Sequence, residues 1–71
     1  MSDDRTAVEE YVSLYRQAFR EYRVRCLWNS RVLDHPTAGD ALSVARALRL
    51  YGDRSARFLA ERLELACRAA L

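Results

Sequence analysis

Six residues among the first 26 set the architecture of the chain. Val8, Val12, Tyr15, Phe19, Tyr22 and Cys26 recur at spacings of 4, 3, 4, 3 and 4, the periodicity of an α-helix packed along its length. Tyr11, Leu14, Ala18 and Leu27 widen the apolar stripe. Asp3 and Asp4 stand at the positive end of such a helix, and Thr6-Ala7-Val8-Glu9 has the spacing of a capping box. No glycine or proline interrupts the pattern before Pro36, so the spacing predicts one long helix over about residues 4–31.

The sequence Asp34-His35-Pro36 ends that segment, because Pro36 lacks an N–H and drives His35 towards extended geometry. Thr37-Ala38-Gly39-Asp40 opens a second helix over about 38–51, with Thr37 as cap and Asp40 reaching back to it. Its inward face reads Ala38, Ala41, Leu42, Ala45 and Leu48, with Leu50 and Tyr51 near its end. Gly52 is expected to supply a left-handed stop. Asp53 caps a third helix over about 54–70, whose seam is Ala56, Leu59, Leu63, Ala66 and Ala70, with Ala60 and Cys67 beside it. Glu64 and Arg68 form an i,i+4 pair on its outer side. The expected fold is all-α: one single helical domain over 1–71, with a long N-terminal helix packed by two shorter ones.

A chain of 71 residues hides only about 60% of the surface that its unfolded form exposes. With so small a core, and a first helix that outreaches its neighbours, a homo-oligomer is expected. No stretch approaches the roughly 20 apolar residues that cross a bilayer, and the acidic N-terminus does not read as a signal peptide. A cytoplasmic protein with no membrane partner is expected. Cys26 and Cys67, 41 residues apart, read as reduced core thiols, since each falls on an apolar helical face.

Catalysis finds no reagents. The chain has one histidine, beside a proline, with no Gly-rich phosphate loop and no Cys–His or Ser–His–Asp set. Nor do one histidine and two distant cysteines make a zinc site. The expectation is a chain that is not an enzyme, with no catalytic residues, no metal and no cofactor.

Charge is distributed unevenly. Residues 1–15 carry a net −3 and residues 16–31 a net +4, while the whole chain is only +2. All twelve basic residues are arginine, which fits either a GC-rich genome or bidentate recognition of phosphate and carboxylate. Arg16, Arg20 and Arg23 form a stripe along the apolar face, extended by Arg25 and Arg31. Such a stripe supplies charge complementarity to a protein or tracks phosphates, with tyrosines stacking on bases. Tyr11, Tyr15, Phe19 and Tyr22 place four aromatics on one helical face, and Trp28 stands about 160° from the seam, taking 100° per residue. Tyr11, Tyr15, Tyr22, Trp28 and Asn29 are the candidate partner-binding residues, Trp28 being either an anchor or an internally covered side chain. A helix-turn-helix over 41–66 is better read as packing, because its second helix offers only Arg54, Arg57 and Arg62 with acids between.

The motifs Cys26-Leu27-Trp28-Asn29, His35-Pro36-Thr37, Asp40-Ala41, Ala47-Leu48-Arg49, Gly52-Asp53, Ala56-Arg57 and Leu59-Ala60-Glu61 resemble those of a group of small, uncharacterised proteobacterial helical proteins. These carry a Leu-Trp-Asn motif and a Pro-Thr helix start, and are often encoded beside abortive-infection-type nucleotidyltransferase toxins. The resemblance spans about residues 8–67. It implies an accessory or antitoxin-like protein that binds another protein, with a nucleotidyltransferase-like toxin as the implied partner. The chain lacks the Gly-Ser and Asp-x-Asp pattern of the enzyme itself. The functional expectation is a non-catalytic protein-interaction module. Its alternatives are an Arg-based nucleic-acid-binding module, or a purely structural homodimer.

Overall fold

Three helices carry the chain: α1 (Asp3–Tyr22), α2 (Ala38–Tyr51) and α3 (Arg54–Ala70). The computed structural model describes residues 3–28 and 31–70, with side chains from residue 6 onward. Among them there is no strand, and the all-α, three-helix expectation holds.

Two short links fix the topology. Only Gly52 and Asp53 join α2 to α3, so these helices form an antiparallel hairpin. The Cys67 thiol, near the end of α3, donates to the Ala38 carbonyl at the start of α2, at 3.6 Å. At the opposite end, Arg25 just beyond α1 meets Asp53 just before α3 at 3.5 Å. Hence α1 also runs antiparallel to α3, and α1 and α2 run the same way. A parallel pair needs a long return, and residues 23–37 supply it.

The helix boundaries bear out α2 and α3 and correct α1. Thr37 caps α2 as its sequence requires: its Oγ1 accepts from the Asp40 amide at 3.2 Å, and the Asp40 carboxylate accepts from the Thr37 amide at 2.8 Å. The Asp53 carboxylate likewise accepts from the Ala56 amide at 3.1 Å and starts α3. α1, however, stops at Tyr22 rather than near residue 31. The amides of Cys26 and Leu27 both donate to the Tyr22 carbonyl, at 2.8 and 3.2 Å, which closes the helix in a wide turn. Burial explains the stop. A continued helix would point Leu27 away from the buried face of Tyr11, Leu14 and Ala18, whereas the turn buries both Cys26 and Leu27 completely. Burying a leucine is worth about 2 kcal/mol.

The core also sits off the expected seam. Ala7, Tyr11, Leu14, Tyr15, Ala18, Phe19 and Tyr22 are buried, whereas Val8 is 39% exposed and Val12 half-buried. On α2 the inward face is Ala41, Val44, Ala45 and Leu48. Leu42, Leu50 and Tyr51, expected to face inward or nearly so, point outward. On α3 the expected seam is correct, with Ala70 at its edge. Glu64 does not take Arg68 as its hydrogen-bonded partner. It receives a two-pronged bond from Arg49 of α2, both arms 2.7 Å, a geometry that clamps the hairpin.

Gly52 is a second correction. Its backbone is extended (φ −98°, ψ 172°) and not left-handed. Glycine is needed there for space: a Cβ would collide with the Ala56 side chain, lie 2.5 Å from the Leu48 carbonyl oxygen and press on the Cys26 sulfur at 3.3 Å. Three segments therefore converge on this one residue.

Candidate functional site

The convergence at Gly52 gathers surface as well as core. Cys26 lies against Gly52, and Arg25 reaches Asp53, so the turn after α1 is pressed against the α2–α3 junction. The residues flanking these contacts are large, apolar and uncovered. Val24 is 84% exposed, Trp28 65%, Leu50 68% and Tyr51 59%. Isolated exposed apolar side chains are ordinary; these four lie in the segments that meet at Gly52. Arginines border them. Arg23, Arg54 and Arg57 are exposed and take part in no ion pair among the described residues, whereas Arg25 is held by Asp53.

The expected site residues separate into three groups. Trp28 lies on the surface, as an anchor requires. Tyr11, Tyr15 and Tyr22 are buried, which corrects their assignment as partner-binding residues: their rings form the domain's own core. Tyr15 and Phe19 pack as a tilted pair with centroids 5.0 Å apart, and the Tyr15 hydroxyl is consumed by the return segment. Asn29 lies outside the described residues.

The five arginines do not form one stripe. Arg16 and Arg20 stand on the outer side of α1, where Arg16 donates to the Asp34 carbonyl over a long 3.4 Å. Arg23 and Arg25 lie in the turn, off the helix that was expected to align them. Arg31 lies in the return segment, lining a small cavity with Tyr15 and Leu33.

A groove of about 430 Å³ opens between α1 and α3, lined by Gln17, Glu21, Tyr22, Arg54, Ser55, Phe58, Leu59 and Arg62. Phe58 is 63% exposed with an arginine one turn to either side. Val24, Leu50, Tyr51 and Phe58 were not anticipated as surface residues of a site. The available signal was that Phe58 lies about 120° from the Ala56–Leu59–Leu63 seam, on an outer face it shares with Arg54, Arg62 and the exposed Leu65. Val24 carried the same signal as Trp28: on a continued helix it stands about 160° from the seam.

Burial pushes the Cys26 and Cys67 thiols up from their ordinary range, which suppresses the reactive thiolate, and both cysteines are free. Among the described residues no three His, Cys, Asp or Glu side chains come together as a metal cage. No helix there is long and apolar enough to cross a membrane. Compared with family models, curated proteins and solved structures, the chain finds no match.

Proposed function

We propose that this chain is a non-catalytic protein-interaction module, acting as the small antitoxin-like or accessory partner in a bacterial toxin or defence pair. It docks through the end of the bundle that carries Val24, Trp28, Leu50 and Tyr51. The supporting observation is the exposure of Trp28, with Val24, Leu50 and Tyr51 also uncovered in the segments that meet at Gly52. A tryptophan at the centre of a desolvated contact commonly carries a large share of binding energy. Arg23, Arg54 and Arg57 at its rim favour a partner with acidic residues around an apolar pocket. The resemblance through Leu27-Trp28 and Pro36-Thr37 nominates a nucleotidyltransferase-like toxin as that partner.

A second reading has its own observation. The same end combines unpaired arginines with the exposed rings of Trp28, Tyr51 and Phe58, the ingredients of a stacking nucleic-acid surface. Titration of the chain with the protein encoded beside it, and separately with single-stranded and duplex oligonucleotides, distinguishes the two. Protein docking predicts binding to the neighbour's product that weakens only modestly with salt, through its rim charges. Oligonucleotide binding whose log affinity falls steeply with log salt, with none to the protein, would overturn it.

A further inference from the structure

α1 presents a second surface, and its residues are ordered in a way that suits one occupant. Val8 and Val12 belong by spacing to the apolar seam, yet the rest of the chain leaves the first exposed and the second half-covered. They line a groove of about 370 Å³ along α1 with Glu9, Ser13, Arg16 and Arg20. Along this groove the charge changes sign: Glu9 stands at its N-terminal end, Ser13 in the middle, and Arg16 and Arg20 at its C-terminal end.

We infer that this face of α1 binds a second copy of itself, antiparallel, around a two-fold axis passing near Val12 and Ser13. A two-fold contact brings the same patch of each copy together, so the patch must complement itself. In the antiparallel arrangement residues on one side of α1 meet the same side of the other helix in reverse order. Glu9 then faces Arg16 of the second copy, and Arg16 faces its Glu9. Val12 of each copy lies beside Val12 and Ser13 of the other, at the centre of the contact. The two helix dipoles also oppose, which is favourable. In the parallel arrangement Glu9 would meet Glu9 and Arg16 would meet Arg16, so the charge order selects the antiparallel one. Arg16 keeps its bond to the Asp34 carbonyl, because a guanidinium has five N–H donors and that bond uses one. The surface is distinct from the one carrying Trp28, so one chain can pair with its copy and dock on a partner together.

Sedimentation equilibrium from micromolar to millimolar concentration tests the pairing, on the wild type, Glu9→Arg, Arg16→Glu and the double variant Glu9→Arg/Arg16→Glu. Helical circular dichroism confirms that each is folded. The wild type dimerises, each single charge reversal weakens association at least about tenfold by setting like charges opposite each other, and the double variant recovers it. Trp28→Ala leaves it unchanged, so that loss of this dimer and loss of partner docking are separate results. A wild type that stays monomeric at millimolar concentration would overturn the inference. So would single variants that associate as tightly as wild type, or a folded double variant that does not recover.

Discussion

The Leu33 amide donates to the Tyr15 hydroxyl at 3.0 Å, across eighteen positions of sequence. This bond fastens the return segment to the side of α1. The same hydroxyl points its own proton at the Arg31 carbonyl over a longer 3.4 Å, so one side chain serves both a donor and an acceptor of a segment that has no regular structure. Tyr15 is 1% exposed because that segment covers it. Tyr15→Phe keeps the ring and removes the bond, leaving the Leu33 N–H unsatisfied. It should destabilise the fold by about 1–2 kcal/mol, measured by urea denaturation, with amide exchange at Leu33 accelerating more than exchange in α3.

The two glycines should respond oppositely to alanine. At Gly52 a methyl group collides with Ala56 and crowds the Leu48 carbonyl. Gly52→Ala should cost about 1–3 kcal/mol, the usual penalty of overpacking, and should loosen the turn that carries Val24 and Trp28. At Gly39, in the first turn of α2, the nearest atom to an added Cβ is Thr37 Oγ1 at 3.6 Å, an ordinary contact. Gly39→Ala should raise stability by about 0.5 kcal/mol through its better helix propensity. Thermal melts of the two variants check both signs.

Acid should weaken the helical hairpin. The Arg49 hydrogen bonds hold the Glu64 carboxyl below its ordinary range, and the Ala56 amide does the same for Asp53, helped by Arg25. A carboxylate whose folded pKa lies below its unfolded value adds stability that is fully present above the unfolded value. That stability is lost as pH falls through the folded value. Melting temperature should therefore be flat near neutrality and decline as pH drops through and below the usual carboxylate range. Glu64→Gln should make the decline shallower, and a profile identical to that of wild type would remove the role given to the Arg49–Glu64 clamp.

The parts of the fold written locally were legible in the sequence. Thr37 with Asp40, Asp53 with Ala56, and the 3,4 spacing from Ala56 to Ala70 each require only neighbours within a turn or two, and each is found as expected. The end of α1 was not legible. Tyr22-Arg23-Val24-Arg25-Cys26 holds no glycine, proline or capping residue, so nothing local says stop. The stop comes from burying Leu27 and from the space that Gly52 leaves for Cys26, both of them long-range. That one misplaced boundary has two consequences: the return segment reaches the Tyr15 hydroxyl, and the arginine stripe is broken at Arg23. At the docking surface, the sequence singled out Trp28 by its angle from the seam, but Leu50 and Tyr51 read as the end of a buried face.

Partner binding by Trp28→Ala, measured by calorimetric titration with the protein encoded beside this chain, bears most directly on the docking surface. Trp28 is exposed in the isolated domain, so the substitution should shift its stability by no more than about 0.5 kcal/mol. It should weaken partner binding by about 2 kcal/mol or more, roughly thirtyfold. Fluorescence from the single tryptophan should be water-like in the free chain and move to the blue on binding. Undiminished affinity in the variant, or blue emission from the free chain together with a large loss of melting temperature, would contradict the account.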